Sequence, residues 1–220
     1  SENNLSQKDE CWIYNEAICM DNAKMFDNSK MFEYSVMYDN TKMYDYSVMH
    51  DYSVMYDNSR MHDNSVMYDN SRMHDKSVMC SYSVMCGYSK MYGSSKMYGH
   101  TVMRDNSIMF NNSEMYGYSI MYDDSKMFGS SKLLDSGEMR GEAELHGIDI
   151  LHGKLVSKVD KYIEISNPQG RIVTGVLKNG EILFTIGCQK EITEETFIDR
   201  IYNEDGGIEK HPYRKEYLKI

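Results

Sequence analysis

The 220 residues predict an all-β chain wound as a parallel β-solenoid, followed by a small α+β unit. Three observations carry that reading. From Met25 to Met127 a methionine falls at every sixth position, 18 in all. Two residues before each stands a small residue, and the 19 positions from Ala23 to Ser131 in that register are all Ala, Ser or Thr. Two residues after each comes Asp, Gly, Asn, Ser or one Glu, the side chains of turns and of positive φ. Ser53-Val54-Met55-Tyr56-Asp57-Asn58 is the type unit.

A helix is incompatible with this period. At 100° per residue, positions six apart scatter around the cylinder. In an extended chain an even period keeps every Met on one face, together with the Ser two residues earlier. Each unit therefore reads as a four-residue strand and a corner. Strands so short bury nothing alone and must stack on copies of themselves. Three units per coil would give about 8 coils and a tube of about 40 Å, while two would give a flatter tube nearer ~55 Å. Three is preferred, because a triangular tube holds three thioethers and three hydroxyls per layer, and Met fills irregular space well. The buried hydroxyls are each expected to find a backbone or Ser partner.

Residues 1–16 form the first element. They begin polar and then offer Trp12, Ile13 and Tyr14, expected to plug the first coil, since an open solenoid end is an unpaired strand edge. Residues 17–153 are the solenoid, with Cys19 entering the Met row in phase and Leu133, Met139, Leu145 and Leu151 continuing it. Residues 154–220 change character: Met vanishes and both prolines appear. There Tyr162–Ile165 reads as a strand. Arg171–Lys178 and Glu181–Ile186 flank the hairpin signal Asn179-Gly180. Thr193 with Glu194 and Glu195 starts a helix whose apolar face is Phe197, Ile198 and Ile201, and Gly206-Gly207 ends it.

The unit resembles the hexapeptide repeat of left-handed parallel β-helices, in which a large inward aliphatic residue follows a small one by two positions. Met stands here for the usual Leu, Ile or Val. Runs such as Ser95-Lys96-Met97-Tyr98-Gly99 and Ser29-Lys30-Met31-Phe32-Glu33 more closely resemble a group of phage and prophage proteins built on similar repeats. The tail is similar to the C-terminal segment of that group in Gly187-Cys188, Glu194-Glu195-Thr196-Phe197, His211 and Arg214-Lys215-Glu216-Tyr217, with Gln189 where an aromatic would be expected. The resemblance implies a left-handed, three-sided tube and a phage or prophage origin. It brings no established chemistry.

Function must then be sought on the surface. The net charge is −10, and residues 16–151 hold 20 acidic against 12 basic side chains, while the tail is balanced at 11 against 11. Such a balance argues against direct nucleic-acid binding. Asp occupies the corner almost without break from Asp21 to Asp75, Glu33 being the exception. Corner chemistry alone would accept Gly there, as at Gly87, Gly93 and Gly99, so the Asp bias points to an acidic rod able to imitate a nucleic-acid backbone. Outward Tyr, Phe and His would align as ladders, which stabilise a sheet surface and also offer a flat binding face. Asp39, Asp45, Asp57 and Asp63, Tyr38, Tyr44, Tyr56 and Tyr68, and His50, His62 and His74 are the candidate partner-binding residues.

The expected function is thus that of a non-catalytic binding protein which engages a host or defence protein, as an inhibitor or nucleic-acid mimic. Self-association of copies is also open. A purely structural, self-assembling solenoid and a hexapeptide-type acyltransferase are the alternatives. The acyltransferase would need a loop breaking the repeat and a His base, and the register runs unbroken past every solenoid His. No cofactor or metal is expected, since inward Met and outward His cannot share a site and the five cysteines have no CxxC spacing. With no apolar run long enough to span a bilayer and no signal-like start, a host-cytoplasmic setting away from membranes is expected.

Overall fold

A computed structural model of the chain describes residues 2–6, 10–147, 150–151, 154–155, 161–166, 172–178, 181–186 and 189–203. The chain forms two compact units, 1–156 and 157–220.

The first unit is a three-sided parallel solenoid of about 8 turns. Its two-residue strands run from β1 (Trp12–Ile13) to β25 (Lys154–Leu155), and every third strand belongs to the same sheet. Nine strands starting with Trp12–Ile13 make face I, eight starting with Ile18–Cys19 make face II, and eight starting with Lys24–Met25 make face III. Pairing is parallel and in register at 18 residues, as in Val66 with Val84 and Met67 with Met85, except at the last strand, where Lys154 pairs with Glu138 at 16. Eighteen residues is three units, so the three-sided reading holds.

The corners explain the strand length. The fifth position of every unit from Asn15 to Gly147 has positive φ, between 52° and 82°. Such a residue turns the chain and flips its own N–H. Around Asp57 the even positions donate to the following coil: Val54 N–H to the Ser71 carbonyl, Tyr56 to Met73 and Asn58 to Asp75. Ser53 N–H instead closes the preceding turn on the His50 carbonyl. Regular pairing therefore survives over two residues per unit, the second and third, and not over the four that the repeat suggests.

Inside, Met25 through Met127 are wholly buried, and so are the small residues from Ala23 to Ser131. The hydroxyls behave differently from expectation. Ser29, Thr41 and Ser59 donate to the carbonyl three residues back, at 2.8, 3.1 and 3.0 Å. Fifteen others, Ser53 and Ser83 among them, have no partner. The small side chain is there because three Met chains leave room for nothing larger in the layer. Its hydroxyl is incidental to that role.

At the N-terminal end the covering segment is Asn4–Ser6. Leu5 bridges to Met25, Ser6 N–H donates to the Met25 carbonyl, and the buried Asn4 amide donates to the carbonyls of Asp21 and Ala23. Trp12 is no plug: it forms the first rung with Ile13, paired to Lys30–Met31, and is 57% exposed.

The second unit is a four-stranded antiparallel meander, β26 (Lys161–Ser166), β27 (Ile172–Lys178), β28 (Glu181–Ile186) and β29 (Gln189–Thr193), with helix α1 (Glu194–Tyr202). Lys178 pairs with Glu181, so two residues connect that hairpin, as read from sequence. Gln189–Thr193 is a strand that the sequence reading missed. Thr193 caps the helix by accepting from Thr196 N–H, and Phe197 stacks on Phe184 at 4.1 Å. Ile198 lies on the exposed side, leaving Phe197 and Ile201 as the buried face. The helix ends at Asn203, whose amide group donates to Asp199. Asn179-Gly180, Gly187-Cys188, Gly206-Gly207, His152 and the run from His211 to Tyr217 lie outside the described residues.

Candidate functional site

The three-sided winding sorts the outward side chains into columns 18 residues apart. On face II the column after the Met row is Tyr38, Tyr56, His74, Tyr92, Phe110, Phe128 and His146, an unbroken run of seven rings. Tyr38 and Tyr56 are parallel at 5.2 Å, and Phe110 and Phe128 likewise at 5.2 Å. His74 departs from this, tilted 60° to Tyr56 and in hydrogen-bond contact with its hydroxyl. Burial between rings pushes the His74 imidazole down to about 4, despite the Asp75 carboxylate that favours its protonated form. Tyr38 is raised above its ordinary value by burial, then by Asp39 and Asp57.

Face III carries Phe26, Tyr44 and His62 at 4.9 and 4.7 Å, is interrupted by Cys80, and resumes with Tyr98 and Tyr116 at 4.9 Å. Burial lowers His62 and raises Cys80 to about 11. The adjoining column is mostly basic: Lys24, Lys42, Arg60, Lys96 and Lys132. Glu114 sits between the last two, 3.4 Å from Lys96 and 3.1 Å from Lys132. Burial pushes Glu114 upward, but the hydrogen bonds from Lys132 and Tyr116 and the two ammonium charges hold it below the usual carboxylate range.

Face I carries Tyr14, Phe32, His50 and Tyr68, stacked at 4.5, 4.7 and 5.3 Å. Cys86 follows, and then Arg104, whose guanidinium lies 4.7 Å from the centre of the Tyr122 ring.

The acidic corners have a structural task that sequence did not reveal. Because a positive φ flips the corner N–H toward the coil before, that group needs an acceptor there. The corner Asp of the preceding coil supplies it with Oδ2. Asp39 accepts from Asp57 N–H at 3.4 Å, Asp57 from Asp75 at 3.3 Å and Asp75 from Gly93 at 2.9 Å. Along the next edge Asp45 accepts from Asp63 at 3.1 Å and Asp63 from Ser81 at 2.9 Å. Asp and Gly are consequently not interchangeable at corners. A Cβ on Gly87 would lie 2.8 Å from the Asp105 nitrogen, and one on Gly117 2.7 Å from the Asp135 oxygen, so at these two corners the coils approach too closely for a side chain.

Of the candidate residues, the structure gathers Tyr38, Tyr56 and His74 on face II beside the edge carrying Asp39 and Asp57. Tyr44 and His62 lie on face III beside the edge carrying Asp45 and Asp63. His50 and Tyr68 are apart from both, on face I. Asp75, Tyr92, Phe110 and Phe128 extend the face II group. Counting every third unit rather than every unit would have found them.

Among the described residues no cluster of three or more His, Cys, Asp or Glu side chains is placed to hold a metal ion, and no helix is long and apolar enough to cross a membrane. No model of a protein family and no curated protein matches the chain. What the fold and surface define is a class: a parallel β-solenoid with stacked aromatic faces and acidic edges.

Proposed function

We propose that the chain is a non-catalytic binding protein of phage or prophage type, whose acidic half occupies a basic groove on a host or defence protein in place of a nucleic acid. One observation carries this reading. In the coils between Asp21 and Asp75 all three corners bear a carboxylate. With coils ~4.8 Å apart, three carboxylates per coil give about one negative charge per 1.6 Å of axis, against roughly one per 1.7 Å in duplex DNA. The hydrogen bonds to Oδ2 hold these groups in straight rows, so the charge is ordered before any partner arrives. Lys24, Lys42 and Arg60 lower the net density on face III, so the contact line runs on the face II side of the edge lined by Asp39, Asp57 and Asp75, beside the rings of Tyr38 and Tyr56.

The test is a set of four Asp→Asn changes at Asp39, Asp45, Asp57 and Asp63. Asn still accepts from the next corner and tolerates positive φ, so the tube is kept while four charges are removed. Nucleic-acid-binding proteins of a host lysate should be retained by the native chain, released by competing duplex DNA, and lost from the variant by at least tenfold. Equal retention by variant and native chain, or indifference to DNA, would overturn the reading.

A further inference from the structure

Face I differs from the other two in its column before the Met row. There Val48, Val66, Val84, Val102 and Ile120 follow one another in register without a polar break, all half-buried at the surface. The same column of face III is mostly basic, and that of face II is interrupted by Arg72, Lys90 and Lys126. The apolar run is closed by Lys30 at one end and Glu138 at the other. Along the edge that leads into this face stand Tyr46, Tyr82 and Tyr118, 62%, 56% and 65% exposed, with His100 stacked between the last two at 4.9 Å from each. A continuous apolar ribbon, half-buried and flanked by exposed tyrosines, is the part of this surface suited to cover by another chain.

The order of residues says what fits it. Read outward from Val84, the column is symmetric in kind: Val66 and Val102, then Val48 and Ile120, then Lys30 and Glu138. The column after the Met row has its centre at Cys86, with Tyr68 and Arg104 as one outer pair and His50 and Tyr122 as the next. The tyrosine edge is centred on Tyr82, with Tyr46 and Tyr118 equally far away. All three centres belong to one coil. From this we infer that face I is the interface of a two-fold dimer, in which a second copy of this chain lies antiparallel across the axis at Val84. A two-fold axis running along the strands reverses the tube and sets each column against itself. Valine then meets valine or isoleucine, Lys30 meets the partner's Glu138 at both ends, and Arg104 comes opposite the outward rim of the partner's Tyr68, whose hydroxyl can accept from the guanidinium. Glu138, which already accepts from the Tyr122 hydroxyl, is held in place for the lysine. Like charges meet only at the two rims, Asp51 opposite Asp123 and Asp69 opposite Asp105 on one, Asp27 opposite Asp135 on the other, where water and salt screen them and Arg104 lies 3.8 Å from the Asp105 carboxylate. The ribbon is about 30 Å by 13 Å, on the order of 400 Å² per copy before surface relief, which places the dimer at the small, reversible end of specific interfaces.

The experiment is sedimentation equilibrium of the full chain from about 1 to 200 μM, with circular dichroism as the check on folding. The native chain should pass from 25.7 kDa to twice that mass across the series. Val84→Lys should hold it at the single mass with an unchanged spectrum, since Lys already occupies the same position of the unit at Lys90 and Lys96. Lys30→Glu should weaken association at least fivefold, and Lys30→Glu with Glu138→Lys should restore it. A short bis-maleimide should join two chains through Cys86, so that Cys86→Ser abolishes the product and Cys80→Ser, on face III, does not. A native chain that stays at the single mass at 200 μM overturns the inference. So does a dimer indifferent to Val84→Lys, or cross-linking that depends on Cys80.

Discussion

At Asp57 two demands meet in one short side chain. The backbone has φ 62°, and the carboxylate accepts the Asp75 N–H of the next coil. Asp57→Asn keeps both and should leave stability within about 0.5 kcal/mol. Asp57→Gly keeps the dihedral and loses the bond, a cost of about 1 kcal/mol. Asp57→Val loses the bond and forces a branched residue into the left-handed region, which adds roughly 1–2 kcal/mol. Denaturation midpoints should rank in that order, and Val equal to Asn would refute the account. Sequence alone showed the turn but not the acceptor, because the bond joins residues 18 apart. His74 gives the second prediction at this scale. Its folded-state value of about 4 lies below the ordinary 6.5, so the unfolded chain binds the proton first. Stability is fully present above pH ~6.5 and falls as pH drops from there toward ~4. His74→Phe keeps the ring in the stack and removes the titration. Its melting temperature should fall less than the native one between pH 7 and pH 5, and parallel falls would exclude His74 as a source.

The repeating unit is an element reduced to two paired residues, a corner and one inward thioether. Nearly all its stability must come from packing, since two residues of pairing cannot hold a strand. Met85→Ala should therefore cost about 2–5 kcal/mol, because rigid neighbours above and below cannot close the cavity. Ser83→Ala should be neutral or stabilising, since the hydroxyl is buried without a partner. Urea titration of the two variants tests the contrast, and a large loss in Ser83→Ala would mean that the hydroxyl is satisfied after all. This pair also marks how far the sequence could be read. The even period fixed which side chains point inward, and the structure agrees at every Met from Met25 to Met127. The period said nothing of hydroxyl geometry or of strand length, both of which depend on where the corner dihedral sends each N–H. In the tail, Thr193 and the paired strands were legible from local signals. Gln189–Thr193 was not, because a strand formed by pairing with Glu181–Ile186 needs no pattern of its own.

For the whole tube, each coil touches only its neighbours, so length is adjustable while phase is not. Deleting residues 88–105 removes one full coil and should leave the spectrum unchanged and the melting temperature within a few degrees. Deleting residues 88–93 removes one unit. The core should survive equally well, because every unit offers the same Met and Ser inward. Every surface column beyond the cut, however, is rotated onto the next face. On face I the apolar run would then pass from Val84 to Ile108, Lys126 and Glu144. The expected product is a folded chain that no longer dimerises, read as an unchanged spectrum with the single mass at high concentration. Loss of folding in this variant would show that the surface ladders, and not the core, hold the tube together.

Fold class, inward residues and corner positions were set by the sequence itself, because the alternation of side chains in an extended strand requires only that the period be even. Which surface residues are neighbours was decided by the tertiary structure alone. A six-residue period satisfies a two-sided or a three-sided coil equally well, and the choice lies in the angle that each positive-φ corner imposes and in the hydrogen bonds that accept it. Only after that angle makes the coil 18 residues long do Tyr38 and Tyr56 stack, Asp39 reach the Asp57 nitrogen, and Val66 come to lie beside Val84.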